Sequence, residues 1–213
     1  MFMKRIVLLT LPLLAACGSR YGMRLPDEME KNLPYETRIE LLEAENALAL
    51  AYDKVDEASS EIVRARDNIR RARSRAQAAE SELDRAEDTV SKEVAQLTIE
   101  EAEARVEYLR SRQRLNVAKL EVEELAKQCA VARFELSRVT AARKAKVAGS
   151  EGLDPKEFES QVSECEAEVK EERAGLGANT ADEKAAREAW EAKKAALAKK
   201  TFDARTSPYV ENL

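Results

Sequence analysis

Apolar side chains recur along this chain on a seven-residue cycle. Leu41, Leu48, Val55, Ile62, Ile69, Ala76, Leu83 and Val90 stand one heptad apart, and Ala44, Ala51, Ala58, Ala65, Ala72, Ala79 and Ala86 each follow three residues behind the first seven. A repeat of this kind is the a and d seam of a coiled coil. Alanine at seven successive d positions lets a neighbouring backbone come close, towards the low end of the usual helix separation of about 8–10 Å. No glycine or proline interrupts the 114 residues from Tyr35 to Ala148, far more than an ordinary globular helix.

The phase of the repeat shifts near residue 90. Beyond it Tyr108, Leu115, Val122, Cys129 and Leu136 take the a position, and Ala104, Ala118, Leu125, Ala132 and Val139 take d, with Ser111 the polar intruder. A shift of four residues is either a stutter in one long helix or the mark of a chain that turns back. The hairpin is the preferred reading, because antiparallel coils set a against d. Pairs whose numbers add to 194 do this throughout, Ala58 facing Leu136, Ala65 facing Cys129, Ala72 facing Val122 and Ala79 facing Leu115. Registers one heptad apart keep the same pattern. Flanking charge favours 194, with Glu82 near Arg114, Arg75 near Glu121, Glu87 near Arg105 and Glu80 near Arg112, against the unfavourable pairs Arg73 with Lys119 and Glu61 with Glu135. The tip then falls near residues 95–98, where Thr98 and Glu101 read as a capping box.

A third helical region is expected over 154–203. Gly149, Ser150 and Gly152 break the second arm, Asp154 suits an N-cap, and Pro155 suits the first helical position. Gly175 and Gly177, followed by a Thr180–Glu183 capping box, predict an interruption near 175–180. This region should fold back over part of the length, onto a spare stripe of Val106, Leu109, Val117, Leu120, Val131 and Phe134, with Trp190 as a core anchor. Residues 17–34, with two glycines and two prolines, read as a flexible tether, and 204–213 as a fraying tail. The fold class is therefore all-α: an elongated antiparallel coiled-coil hairpin over 35–148 with an alanine-rich heptad seam, plus a shorter third region folded back. The seam comprises Leu48, Ala51, Val55, Ala58, Ile62, Ala65, Ile69, Ala72, Ala79 and Leu83 on the first arm, and Leu115, Val122, Leu125, Cys129 and Leu136 on the second.

Composition agrees with this reading. Charged residues make up 36% and aromatics 5%, the profile of long helices rather than of a globular core. The periodic apolar positions argue against disorder. The net charge is −5, and −7 without Lys4 and Arg5, which disfavours nucleic acid as a partner. The chain has no histidine, hence neither the commonest general base nor the commonest transition-metal ligand. No phosphate-binding glycine loop, nucleophile elbow or metal-ligand spacing stands in the sequence. The expectation is a protein with no catalytic site, no cofactor, no bound metal and no small-molecule substrate.

Lys4 and Arg5 open the chain, an apolar run extends from Ile6 to Ala16, and Cys17 follows. Eleven apolar residues are too few for a membrane span of about 20 but fit a secretory signal peptide over 1–16. Leu14, Ala15, Ala16 and Cys17 resemble the lipobox of bacterial lipoprotein precursors. The resemblance covers residues 1–18. It implies cleavage between Ala16 and Cys17 and diacylation of the Cys17 thiol. Two or more acyl chains anchor stably where one is marginal. Gly18 after the cysteine resembles lipoproteins sorted to the outer membrane, with the inner membrane as the other destination. In general plan the chain is similar to murein lipoproteins, although it ends in Leu213 without the terminal lysine that links those to the wall.

Export implies an oxidising compartment, so Cys129 and Cys165 are candidates for a disulfide. A symmetric turn near residue 151 would leave them about eight residues out of register, about 12 Å along a helix, and small apolar seam residues are the preferred reading. Arg64, Arg66, Arg70, Arg71, Arg73 and Arg75 form a basic segment, read as a solvated face ahead of a patch for anionic lipid or wall polymer. The function expected is a lipid-anchored structural or interaction protein of the cell envelope, projecting a helical rod into the periplasm. It would meet a protein partner, or itself, through its helices. Two alternatives stand beside it: a coiled-coil adaptor in a trans-envelope efflux, secretion or motility complex, and a periplasmic holdase chaperone.

Overall fold

The computed structural model describes residues 21–201, which contain α-helices and turns and no strand. Two short helices, α1 (Asp27–Lys31) and α2 (Tyr35–Glu40), lead into three long ones: α3 (Leu42–Arg85), α4 (Thr89–Lys144) and α5 (Pro155–Thr201). The chain runs up α3, down α4 and up α5. Helix α4 is the middle member, packed against α3 on one side and α5 on the other. That position explains its sequence. Helix α3 needs one apolar stripe, whereas α4 must bury two, and its buried residues spread from Ala95 to Ala142.

The alanine seam is closed where it matters most. Ile62, Ala65, Ile69, Ala72 and Ala79 of α3 are buried, as are Leu115, Val122 and Cys129 of α4. Leu48, Ala51, Val55, Ala58, Leu83, Leu125 and Leu136 are half-buried.

The tip lies at residues 86–88, not near 95–98. Ala86 leaves the helix with an extended backbone, and Asp88 caps α4 by accepting from the Ser91 amide at 2.8 Å. Thr98 is inside α4, its hydroxyl donating back to Val94 O, and Glu101 is fully buried, so neither caps a helix. The register changes with the tip. Glu61 meets Arg112 at 4.0 Å, a pair adding to 173, three heptads from 194. Ala58 accordingly shares a cleft with Leu115 rather than facing Leu136. A shift by whole heptads keeps a against d, so apolar periodicity alone is blind to it. The expected charge pairs are replaced: Arg75 reaches Glu101 at 3.5 Å, and Arg114 pairs with Glu107 on its own helix.

Helix α5 has 47 residues and is shorter than the α3–α4 hairpin onto which it folds back. It runs unbroken through 175–180. Gly175 and Gly177 are helical and a Cβ on either would meet nothing, while Thr180 donates to Leu176 O within the helix instead of capping one. Glycine lowers helix propensity by about 1 kcal/mol, which packing of the flanking turns against α4 overrides. Asp154 does cap α5, accepting from the Lys156 amide at 3.0 Å.

The linker between α4 and α5 is skewed. Lys146 (φ 55) and Gly149 (φ 87) fold it back, and a side chain at Gly149 would strike the Met29 methyl at 2.7 Å. The left-handed backbone favours glycine there, whereas the Met29 methyl ends a flexible side chain that could swing aside. The skew slides α5 along α4, so that Lys193 meets Glu100 and Cys165 meets Cys129.

Candidate interaction surface

One face of α4 is covered by the segment preceding α3. Residues 21–34 are no flexible tether: Tyr21, Leu25 and Leu33 are all buried. The Tyr21 hydroxyl donates to Glu168 of α5, the Met23 amide donates to Gln161 Oε1 at 3.1 Å, and the Leu25 amide donates to Glu135 Oε2 at 2.9 Å. Glu135 is itself buried and bound to Arg138 at 2.8 Å, which also pairs with Glu30 of α1. Leu25, Leu33 and Leu41 then form one apolar cluster with Val139, Ala142, Val147 and Phe158. Leucines spaced through a segment of prolines and turns carry no helical or strand period, which is why the sequence reads as a linker while the chain is a strap.

Beneath the strap, Cys129 and Cys165 form a disulfide with Cα atoms 5.5 Å apart. Tyr21 and Ala132 share their cluster. The preferred reading of these cysteines as mere seam residues is thereby corrected. It assumed a symmetric turn, and the skewed linker supplies the missing eight residues of slide.

The opposite face of α4 is open. Because α3 and α5 flank α4, a groove of about 920 Å³ remains between them. Its apolar lining includes Ala47, Leu50 and Ala51 of α3, Ala130 and Phe134 of α4, and Val169 of α5. Leu50 is 61% exposed. Charged rims border it, with Arg133 paired to Glu166 at 2.6 Å and Arg173 to Glu123 at 4.0 Å. Phe134 was expected under the third helix. It lines the groove instead, and Val117 stays 38% exposed, whereas Val106 and Leu109 do pack with Trp190.

The basic segment divides. Arg64 and Arg70 pair with Glu61 and Asp67 one turn away, Arg71 bonds Asn68, and Arg75 turns inward to Glu101. Arg66, Arg70 and Arg73 border a shallow cleft with Arg110 of α4. Among the described residues no group of three or more His, Cys, Asp or Glu side chains could hold a metal, and no helix is long and apolar enough to cross a membrane. Ala16 and Cys17, the cleavage and lipidation residues, and the tail 204–213 lie outside the described residues. No protein-family model matches the chain, and neither a curated protein nor a solved structure resembles it significantly.

Proposed function

We propose that this chain is a lipid-anchored, non-catalytic structural or interaction protein of the bacterial cell envelope, attached through Cys17 and displaying its helical bundle on the periplasmic side of the outer membrane. The observation that carries the reading is the leader, an apolar run ending in Leu14-Ala15-Ala16-Cys17. The Cys129–Cys165 disulfide supports it independently, since structural disulfides belong to oxidising compartments. Mass spectrometry of the mature N-terminus tests it. A diacylated Cys17 is expected, and Cys17→Ala should release the protein from carbonate-washed membranes. A variant that stays membrane-bound after the wash overturns the anchor.

The open groove favours the adaptor as the second reading. Two flanking helices and an alanine-lined floor leave the position of one more helix vacant, and the occupant is an amphipathic helix of a partner protein, seated by a narrow apolar stripe against Leu50 and Phe134. Leu50→Asp changes an exposed position and should leave the fold intact. Pull-down from crosslinked envelopes should recover a stoichiometric complex with the native chain and lose it with the variant. Equal recovery from both removes the groove from the interaction.

A further inference from the structure

We infer that the bundle lies along the lipid surface, strap side inward, rather than standing on it as a projecting rod. The inference rests on the proposed acylation of Cys17 and adds what the strap dictates. Tyr21 is fixed to α5 at Glu168 and packs in the cluster of the Cys129–Cys165 disulfide. Cys17 is four residues upstream, so a fully stretched chain separates the two by at most ~14 Å.

The bundle is much longer than that reach. The 56 residues of α4 span about 84 Å at 1.5 Å per residue. Tyr21 is held well up its side. Glu168 stands ~20 Å along α5 from Pro155 and ~50 Å from Thr201. The strap also runs away from the α4–α5 linker as it is traced back, from Leu25 beside Glu135 to Met23 at Gln161 and Tyr21 at Glu168. An upright bundle with the linker end down would force Arg143, Lys146, Glu151 and Asp154 below the level of Cys17. With the other end down, the discrepancy more than doubles. Only a bundle tilted far from the membrane normal satisfies the tether.

A second feature lies on the same face. Arg110 and Glu135 are 25 residues apart on α4, close to seven whole turns of 3.6 residues, so Arg110 points to the side that holds the strap. With Arg66, Arg70 and Arg73 of α3 it makes an exposed basic cluster ~38 Å along α4 from Glu135. Asp67 and Glu107 pair with Arg70 and Arg110, while Arg66 and Arg73 have no acidic partner among the described residues. The α5 edge of this face carries Glu157 and Glu164 beside the strap. The bundle therefore rolls onto its α3 edge, where the arginines meet the phosphates of anionic lipid. Basic residues near such a surface are drawn to it electrostatically, an attraction that fades within a Debye length. The groove with Ala126 on its floor is half a turn from Glu135 and faces away from the membrane.

Neutron reflectometry of the native lipidated chain in a supported bilayer of phosphatidylcholine and phosphatidylglycerol tests this, after mass spectrometry of Cys17. A protein layer of about 20–30 Å, two to three helix diameters, is expected. A layer of about 70 Å or more on an acylated sample overturns the orientation while leaving the anchor standing, whereas an unacylated Cys17 overturns both. A flexible insert of ~20 residues between Ser19 and Arg20 removes the tether restraint and isolates the arginines. That variant should stay flat at low salt and stand off at high salt or with Arg66→Glu and Arg73→Glu. A thick layer at low salt with the arginines intact overturns their lipid contact.

Discussion

Trp190 of α5 donates its indole N–H to Glu101 Oε1 of α4 at 2.8 Å, inside a bundle where Glu101 is fully buried and Trp190 is 3% exposed. Tyr108 stacks on the indole with ring centroids 5.3 Å apart, and the Arg105 guanidinium lies 5.2 Å from its centroid. Arg75 of α3 approaches the second Glu101 oxygen at 3.5 Å. One carboxylate thus ties all three long helices together at one level, and fixes the register of both hairpins.

Truncating this node should loosen both helix pairs. Trp190→Ala removes a large buried side chain and leaves a buried carboxylate short of a donor, an expected loss of about 3–5 kcal/mol. Glu101→Ala removes the acceptor of the buried indole N–H and the carboxylate facing Arg75, and should cost a similar amount. Urea unfolding followed by circular dichroism reads both. A loss under 1 kcal/mol in each would show that the register is held elsewhere.

Reducing the Cys129–Cys165 bond should destabilise the α4–α5 pair. The bond closes a loop with a sequence separation of 36, for which chain entropy gives about 4 kcal/mol. Cys129→Ser with Cys165→Ser should lower the melting temperature by the same amount as a reductant lowers it in the native chain. A reductant that also shifts the double variant would mean the disulfide is not what it acts on.

Gly175 and Gly177 lie in an unbroken helix with open space beside each. Alanine at either should stabilise by about 0.5–1 kcal/mol, through helix propensity and a less disordered unfolded chain. Destabilisation by Gly175→Ala would place a real break in α5 at that point.

Acid should weaken the far end of the α4–α5 pair slightly. The Glu100 carboxyl is held below its usual 4.5, first by its hydrogen bond to Lys193 and then by one to Gln96. A carboxyl whose value falls on folding stabilises the fold above its unfolded value and loses that contribution as pH drops through the folded one. The melting temperature should fall with pH below about 4.5, less steeply in Glu100→Gln than in the native chain. Parallel slopes for the two would exclude Glu100 as a source. The pair is solvent-exposed, so the difference is small.

Removing the carboxylate that holds the strap should free it. Glu135→Ala deletes the acceptor of the Leu25 amide and the partner of Arg138. Hydrogen exchange at Leu25 should accelerate sharply while exchange in mid-α3 stays as it was. Unchanged protection at Leu25 would mean that the leucine cluster alone keeps the strap in place.

The heptads of Leu48 to Leu83 and of Leu115 to Leu136 were enough to read two long helical arms, an alanine seam and a preference for a chain that doubles back, whereas Gly175 and Gly177 suggested a break that the continuous α5 does not have. Side-chain period depends only on helix geometry, and geometry is local. What the period could not supply was translation. Sliding α3 by whole heptads leaves every a against a d, so the turn at Asp88 and the pairing of Ala58 with Leu115 were decided by contacts such as Glu61–Arg112 and Arg75–Glu101, made between residues far apart in the chain. The same holds for the slide that joins Cys129 to Cys165, and for the strap, where Tyr21 and Leu25 find their places only once two helices already stand side by side. Local order sets which elements form. Their offsets along a shared axis, and hence the disulfide, the strap and the open groove, come from the packed tertiary structure.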